Sequence, residues 1–82
     1  MLIEAYLIHV RPEKAPPAYF CSTDGFRYFS LSRRDAMRIE DRELAIEAVR
    51  QMVIQRPRGQ RQIFQVIREL DDKVIYNVET DY

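Results

Sequence analysis

The sequence predicts an α+β domain: an antiparallel sheet of about five strands in the order β-β-β-α-β-β, with one long helix packed on one face. Three observations carry that prediction. Between Asp41 and Arg56, Leu44, Ala45, Ile46, Ala48, Val49, Met52 and Val53 recur at helical spacing. At ~100° per residue they cover an arc of ~200°. Asp24-Gly25 joins two β-prone runs, a strong hairpin signal because a type I′ turn needs positive φ at both central residues. Both ends of the chain alternate with period two, as strands do.

In chain order, residues 2–11 place Tyr6, Ile8 and Val10 on one face and Ile3, Ala5, Leu7 and His9 on the other. Two largely apolar faces predict a central strand. Pro12, Pro16 and Pro17 make a stiff connector. Across the Asp24-Gly25 turn, Thr23 should oppose Phe26, Cys21 should oppose Tyr28, and Phe20 should oppose Phe29. Ala18, Phe20, Phe29 and Leu31 would then face the helix. Tyr19, Cys21, Thr23, Phe26, Tyr28 and Ser30 would line the far face. Residues 30–35 read as a turn, and Ala36, Met37 and Ile39 lead to the helix.

Asp41 is the expected N-cap, since its carboxylate can accept an orphan N–H one turn on. Glu43 suits the positive end of the helix dipole and Arg56 the negative end. Glu47 and Arg50 on the outer arc can pair weakly at i,i+3. Pro57 stops the helix, because it lacks an N–H and disfavours α geometry at Arg56. Residues 57–61 form a polar loop. The last hairpin spans roughly 62–70 and 74–79. A three-residue loop is expected, with Leu70 opposite Val74 and Val66 opposite Val78. That register keeps Phe64, Val66, Leu70, Val74, Tyr76 and Val78 on one face, broken only by Arg68.

Eighty-two residues make one domain, 1–82, and 46% hydrophobic content with only two glycines marks a folded chain. No run is long and apolar enough to span a membrane, and Glu4 stands where a signal peptide would be basic. A single cysteine excludes an intrachain disulfide and cysteine-based zinc sites, and the expected setting is the cytoplasm. Net charge is zero but unevenly spread. Ten arginines between Arg27 and Arg68 face five acids, whereas the stretch from Glu69 to Tyr82 carries −4. Arginine outnumbers lysine eleven to two, as favoured at interfaces and as a GC-rich genome also produces.

Catalytic and metal chemistry find no footing. His9 is the sole histidine and sits in an apolar strand, and Cys21 alternates with aromatics in a hairpin without a neighbouring base. Two glycines cannot build a phosphate loop. The expectation is a non-enzymatic protein with no metal and no cofactor. Two surfaces stand out instead. One is an aromatic row of Tyr19, Phe26 and Tyr28, which Tyr6 or Tyr76 would extend. A dimer partner or the Tyr82 tail could cover that face, and either way aromatic patches mark contacts. The other is an arginine set: Arg33, Arg34, Arg38 and Arg42 before the helix, Arg56, Arg58 and Arg61 after it. These flank opposite helix ends and need not form one patch.

The run from Leu31 to Ala45, with Ala36, Ile39, Asp41, Glu43 and Ala45 in place, resembles a segment of small phage-encoded accessory proteins, in which a hairpin leads into a capped helix. That resemblance implies a protein that binds a host macromolecule, as anti-CRISPR inhibitors do. The expected function is therefore a protein-binding module, a phage-type inhibitor of a host complex or a homodimer. Its contacts would come from Tyr19, Phe26, Tyr28, Arg33, Arg34, Arg38, Arg58 and Arg61. The alternative is a small nucleic-acid binder, with arginines on phosphates and tyrosines on bases.

Overall fold

A computed structural model describes residues 3–56 and 59–80. Five strands form one antiparallel sheet: β1 (Tyr6–Pro12), β2 (Ala18–Thr23), β3 (Phe26–Ser30), β4 (Gln62–Arg68) and β5 (Val74–Thr80). Their spatial order is β3-β2-β1-β4-β5, which puts β1 at the centre as its two apolar faces require. The helix α1 (Arg42–Gln55) lies between β3 and β4 in the chain, and a single 3₁₀ turn at Arg33–Asp35 precedes it.

The helix starts where the sequence places its cap. Asp41 is extended, and its side chain accepts the N–H groups of Glu43 at 2.9 Å and Leu44 at 3.3 Å. Arg56 is extended at the other end. Pro57 lies outside the described residues, as do Arg58 and Tyr82. Ala45, Ile46 and Val49 are buried against Tyr6, Ile8, Val10, Phe20, Phe64 and Val66. Fully burying a side chain such as Val49 contributes about 2 kcal/mol.

Both hairpins form. Across Asp24 (φ 49°) and Gly25 (φ 83°), Thr23 pairs with Phe26, Cys21 with Tyr28 and Phe20 with Phe29, the expected register. The second hairpin departs from expectation. Val66 pairs with Tyr76 and Phe64 with Val78, and a β-bulge follows, so that Ile67 meets Val74. A shift of two residues preserves the faces of Phe64, Val66, Tyr76 and Val78. The bulge flips Val74, and Leu70 is left exposed in the turn.

Pairing between β1 and β2 is confined to His9–Tyr19 and Val10–Ala18. Beyond it the strands part, and residues 37–39 wedge between them. Met37 N–H donates to the Phe20 carbonyl, while Tyr6 and Ile39 exchange two bonds of 2.7 and 2.9 Å. Backbone groups left by the split are thereby satisfied. Ala36 closes over Leu7 and Ile67 on the far face, with Tyr19 beside them. Part of that face is thus covered by the chain's own crossover.

Two expectations about the helix face need correction. α1 lies over β1 and β4 and reaches β5, where Arg50 stands 6.0 Å from the centre of the Tyr76 ring. Tyr76 and Tyr6 therefore belong to the helix side and do not extend the aromatic row. On the other flank α1 does not reach β3. Phe20 is buried, but Phe29 and Leu31 remain 53% and 67% exposed, and Leu44 on the helix is open as well.

Candidate functional site

β3 is an edge strand, and its residues from Phe26 to Phe29 are all exposed. Strand alternation sends Phe26 and Tyr28 to the far face and Arg27 and Phe29 to the helix face. Phe26 is 76% exposed and Tyr28 42%. The Tyr28 hydroxyl lies 3.5 Å from Thr23 Oγ1, and the Phe29 ring meets Phe20 edge-on with centroids 5.9 Å apart. Apolar side chains thus project from both sides of one unpaired backbone edge, an arrangement that natural sheets usually blunt with charge, proline or a covering segment.

Beside β3, on the helix face, is a trough. One depression of about 470 Å³ is lined by Pro12, Pro16, Phe29, Leu31, Met52 and Phe64, among others, with Arg56 and Gln62 at its margin. A second of about 350 Å³ lies between Phe20, Arg27 and Phe29 on the sheet and Leu44, Ala48 and Gln51 on the helix. Phe29, Met52 and Gln55 line both. The sequence pattern assigned Phe29 and Leu31 to the core, so this surface was not anticipated. The available signal was width, since one helix is too narrow for five strands.

Tyr19 does not stand in the open row with Phe26 and Tyr28. It is half-buried, tilted against His9 with ring centres 4.8 Å apart, and packed beside Leu7, Ala36 and Ile67. His9 Nδ1 is 3.3 Å from Gln65 Oε1. Cys21 is buried, its thiol directed at the Tyr19 carbonyl, and burial pushes its pKa up, with Asp35 adding to the shift and a Ser30 backbone bond opposing it. A protonated, enclosed thiol is a packing group.

The arginines divide by location. Arg33 donates to the Glu69 carbonyl at 2.6 Å and to Asp72 at 2.8 Å, and Arg38 donates to Glu69 Oε2 at 2.6 Å. Arg68 binds both oxygens of Asp71, whose other acceptance is from the Lys73 N–H. These three arginines hold the turn between β4 and β5, and Asp71 is drawn down from 3.8 to about 2, chiefly by the Arg68 guanidinium. Arg34 is exposed on the same side. Arg61 is at the opposite end of the sheet, where its carbonyl accepts from the Glu13 N–H. The length of β1 separates the two groups, about 20 Å. Arg33, Arg34, Arg38 and Arg61 therefore form no single patch, and Arg58 lies outside the described residues.

Among the described residues, no group of three or more His, Cys, Asp or Glu side chains is placed to hold a metal. Among the same residues, no helix is long and apolar enough to cross a membrane. No family model, curated protein or solved structure matches the chain.

Proposed function

We propose that this chain is a non-enzymatic protein-binding module whose contact surface is the β2–β3 hairpin. The observation that supports it is the exposure of Phe26, Tyr28 and Phe29 on both faces of an edge strand, with Leu31 exposed just beyond it. Aromatic side chains carry large contact area at low entropic cost, and partners bury them as anchors. A phage-type inhibitor acting on a host complex in the cytoplasm is the specific form of this reading, resting on the Leu31–Ala45 segment. Nucleic-acid binding is less well supported, because Arg33 and Arg38 spend their donors on Glu69 and Asp72.

The test is affinity capture from the source organism with quantitative mass spectrometry, comparing wild type with a Phe26→Ala, Tyr28→Ala double variant. Both residues are open, so the melting temperature should hold within a few degrees. A specific partner should be enriched by wild type and lost by the double variant. Equal enrichment by both proteins would remove the hairpin from the contact surface, and no enrichment over a control would remove protein binding itself.

A further inference from the structure

We infer that residues 37–39 are a removable strap, which competes with β2 for the edge of β1, so that the sheet has a second arrangement in which β1 and β2 zip together. The inference is independent of the protein-binding reading. Strand register comes first. β1 and β2 are seven and six residues long, yet they pair only at His9–Tyr19 and Val10–Ala18. Continued toward the strap, that antiparallel register sets Ile8 opposite Phe20, Leu7 opposite Cys21 and Tyr6 opposite Ser22. None of these six residues carries a charge, and each pair shares a face of the sheet.

The backbone groups that zipping needs are the ones the strap now occupies. The Phe20 carbonyl accepts the Met37 N–H at 3.0 Å, and Tyr6 and Ile39 bond each other in both directions as an antiparallel bridge. Alternate residues of a strand turn N–H and C=O to the same side, so Tyr6 and Ile8 face the gap from β1, and Phe20 and Ser22 from β2. In the zipped sheet the Phe20 carbonyl accepts from Ile8, and Tyr6 exchanges its two bonds with Ser22. Three bonds replace three, and the displaced strap turns its own groups to water.

The strap is lightly held. From Leu31 to Asp41 every residue is exposed except Ala36, which is buried, and Ile39, which is half-buried. Ala36 is small, and it is what closes over Leu7 and Ile67. Arg33 with Asp72 and Arg38 with Glu69 tether the segment through exposed ion pairs, which water and salt screen. Few buried apolar contacts and an exposed backbone are the marks of a segment that opens below the free energy of global unfolding. Residues 31–41 reach about 36 Å when extended, so β3 and α1 stay in place while the strap skirts the end of the sheet. The exchange switches the far face at Leu7 and Ile67 from covered to bare.

Native-state hydrogen exchange of the full wild-type chain, read residue by residue by NMR, tests the switch. Tyr6 and Ile39 donate to each other, so simple fraying deprotects both amides together. Strap exchange separates them, because Tyr6 finds a new acceptor in Ser22 and Ile39 does not. The protection factor of Tyr6 should exceed those of Ile39 and Met37 by at least about tenfold. Tyr6 no better protected than Ile39 overturns the inference. A variant tests the register. Met37→Pro removes the N–H that meets Phe20, and Ala36 already has the extended backbone (φ −61°, ψ 137°) that a residue before proline prefers. The variant should fold and should show a nuclear Overhauser contact between the α-protons of Leu7 and Cys21, a closely spaced pair in the zipped sheet. A folded variant without that contact overturns the zipped register. An unfolded one overturns it too, since the zipped sheet has to stand without the strap.

Discussion

Asp71 shows how much a single carboxylate does in this chain. It binds Arg68 through both oxygens and caps the Lys73 N–H, closing a turn in which Asp72 sits at φ 58°. Aspartate tolerates that left-handed conformation better than most residues. Its depressed pKa has a definite sign in the pH dependence. A folded-state value of about 2 against 3.8 means that the unfolded chain takes up this proton first as pH falls. The contribution of Asp71 is therefore complete above about pH 4 and is lost progressively toward pH 2. The group is solvent-exposed, so screening keeps the effect modest. In urea titrations across that window, Asp71→Asn should be less stable than wild type near pH 5, and the two curves should converge by pH 2. A constant gap across the range would show that the Arg68 pair carries no pH-linked stability.

At the scale of elements, the two phenylalanines of the first hairpin separate pairing from burial. Phe20 and Phe29 are directly cross-strand and share the helix face, yet one is 8% exposed and the other 53%. The difference comes from position in the sheet. Phe20 is one strand inward, within reach of Ala45, Ile46 and Val49, whereas Phe29 is on the edge that α1 leaves open. Phe20→Ala should therefore cost about 3 kcal/mol as a core truncation. Phe29→Ala should cost about 1 kcal/mol, much of it from the lost ring contact. Chemical denaturation of both variants checks the order, and a Phe29→Ala loss equal to that of Phe20→Ala would mean that the trough is closed in solution.

Over the whole molecule, the uneven charge seen along the chain is largely folded back on itself. The arginine-rich segment before α1 meets the acidic turn before β5 through Arg33–Asp72 and Arg38–Glu69, 39 and 31 residues apart in the sequence but at the same end of the sheet. Exposed pairs of this kind contribute about 0–1 kcal/mol each, but they withdraw cations from other anions. A protein that neutralised about four phosphates would lose affinity for nucleic acid with a slope of about −3.6 in log salt. Random oligonucleotides should show no submicromolar binding at about 150 mM salt, where surface charges are screened beyond about 8 Å. Tight binding there, abolished by Arg33→Ala with Arg34→Ala, would favour the nucleic-acid reading over the protein-binding one.

What the sequence by itself determined is local. Asp41 caps α1 because a carboxylate one turn from orphan N–H groups has few alternatives, and Asp24-Gly25 sets a register because positive φ at two successive positions permits little else. Period and turn chemistry act over a few residues, and they also put β1 at the centre. Tertiary structure alone decided the rest. The β4–β5 bulge depends on how Arg68, Asp71 and Asp72 close the turn with Arg33, thirty-five or more residues away. The exposure of Phe29 and Leu31 depends on where one helix lies across five strands, which no alternation pattern encodes. An apolar residue reads the same whether its face meets a helix or an empty trough. The surface with the clearest room for a partner is for that reason the one that looked, along the chain, like core.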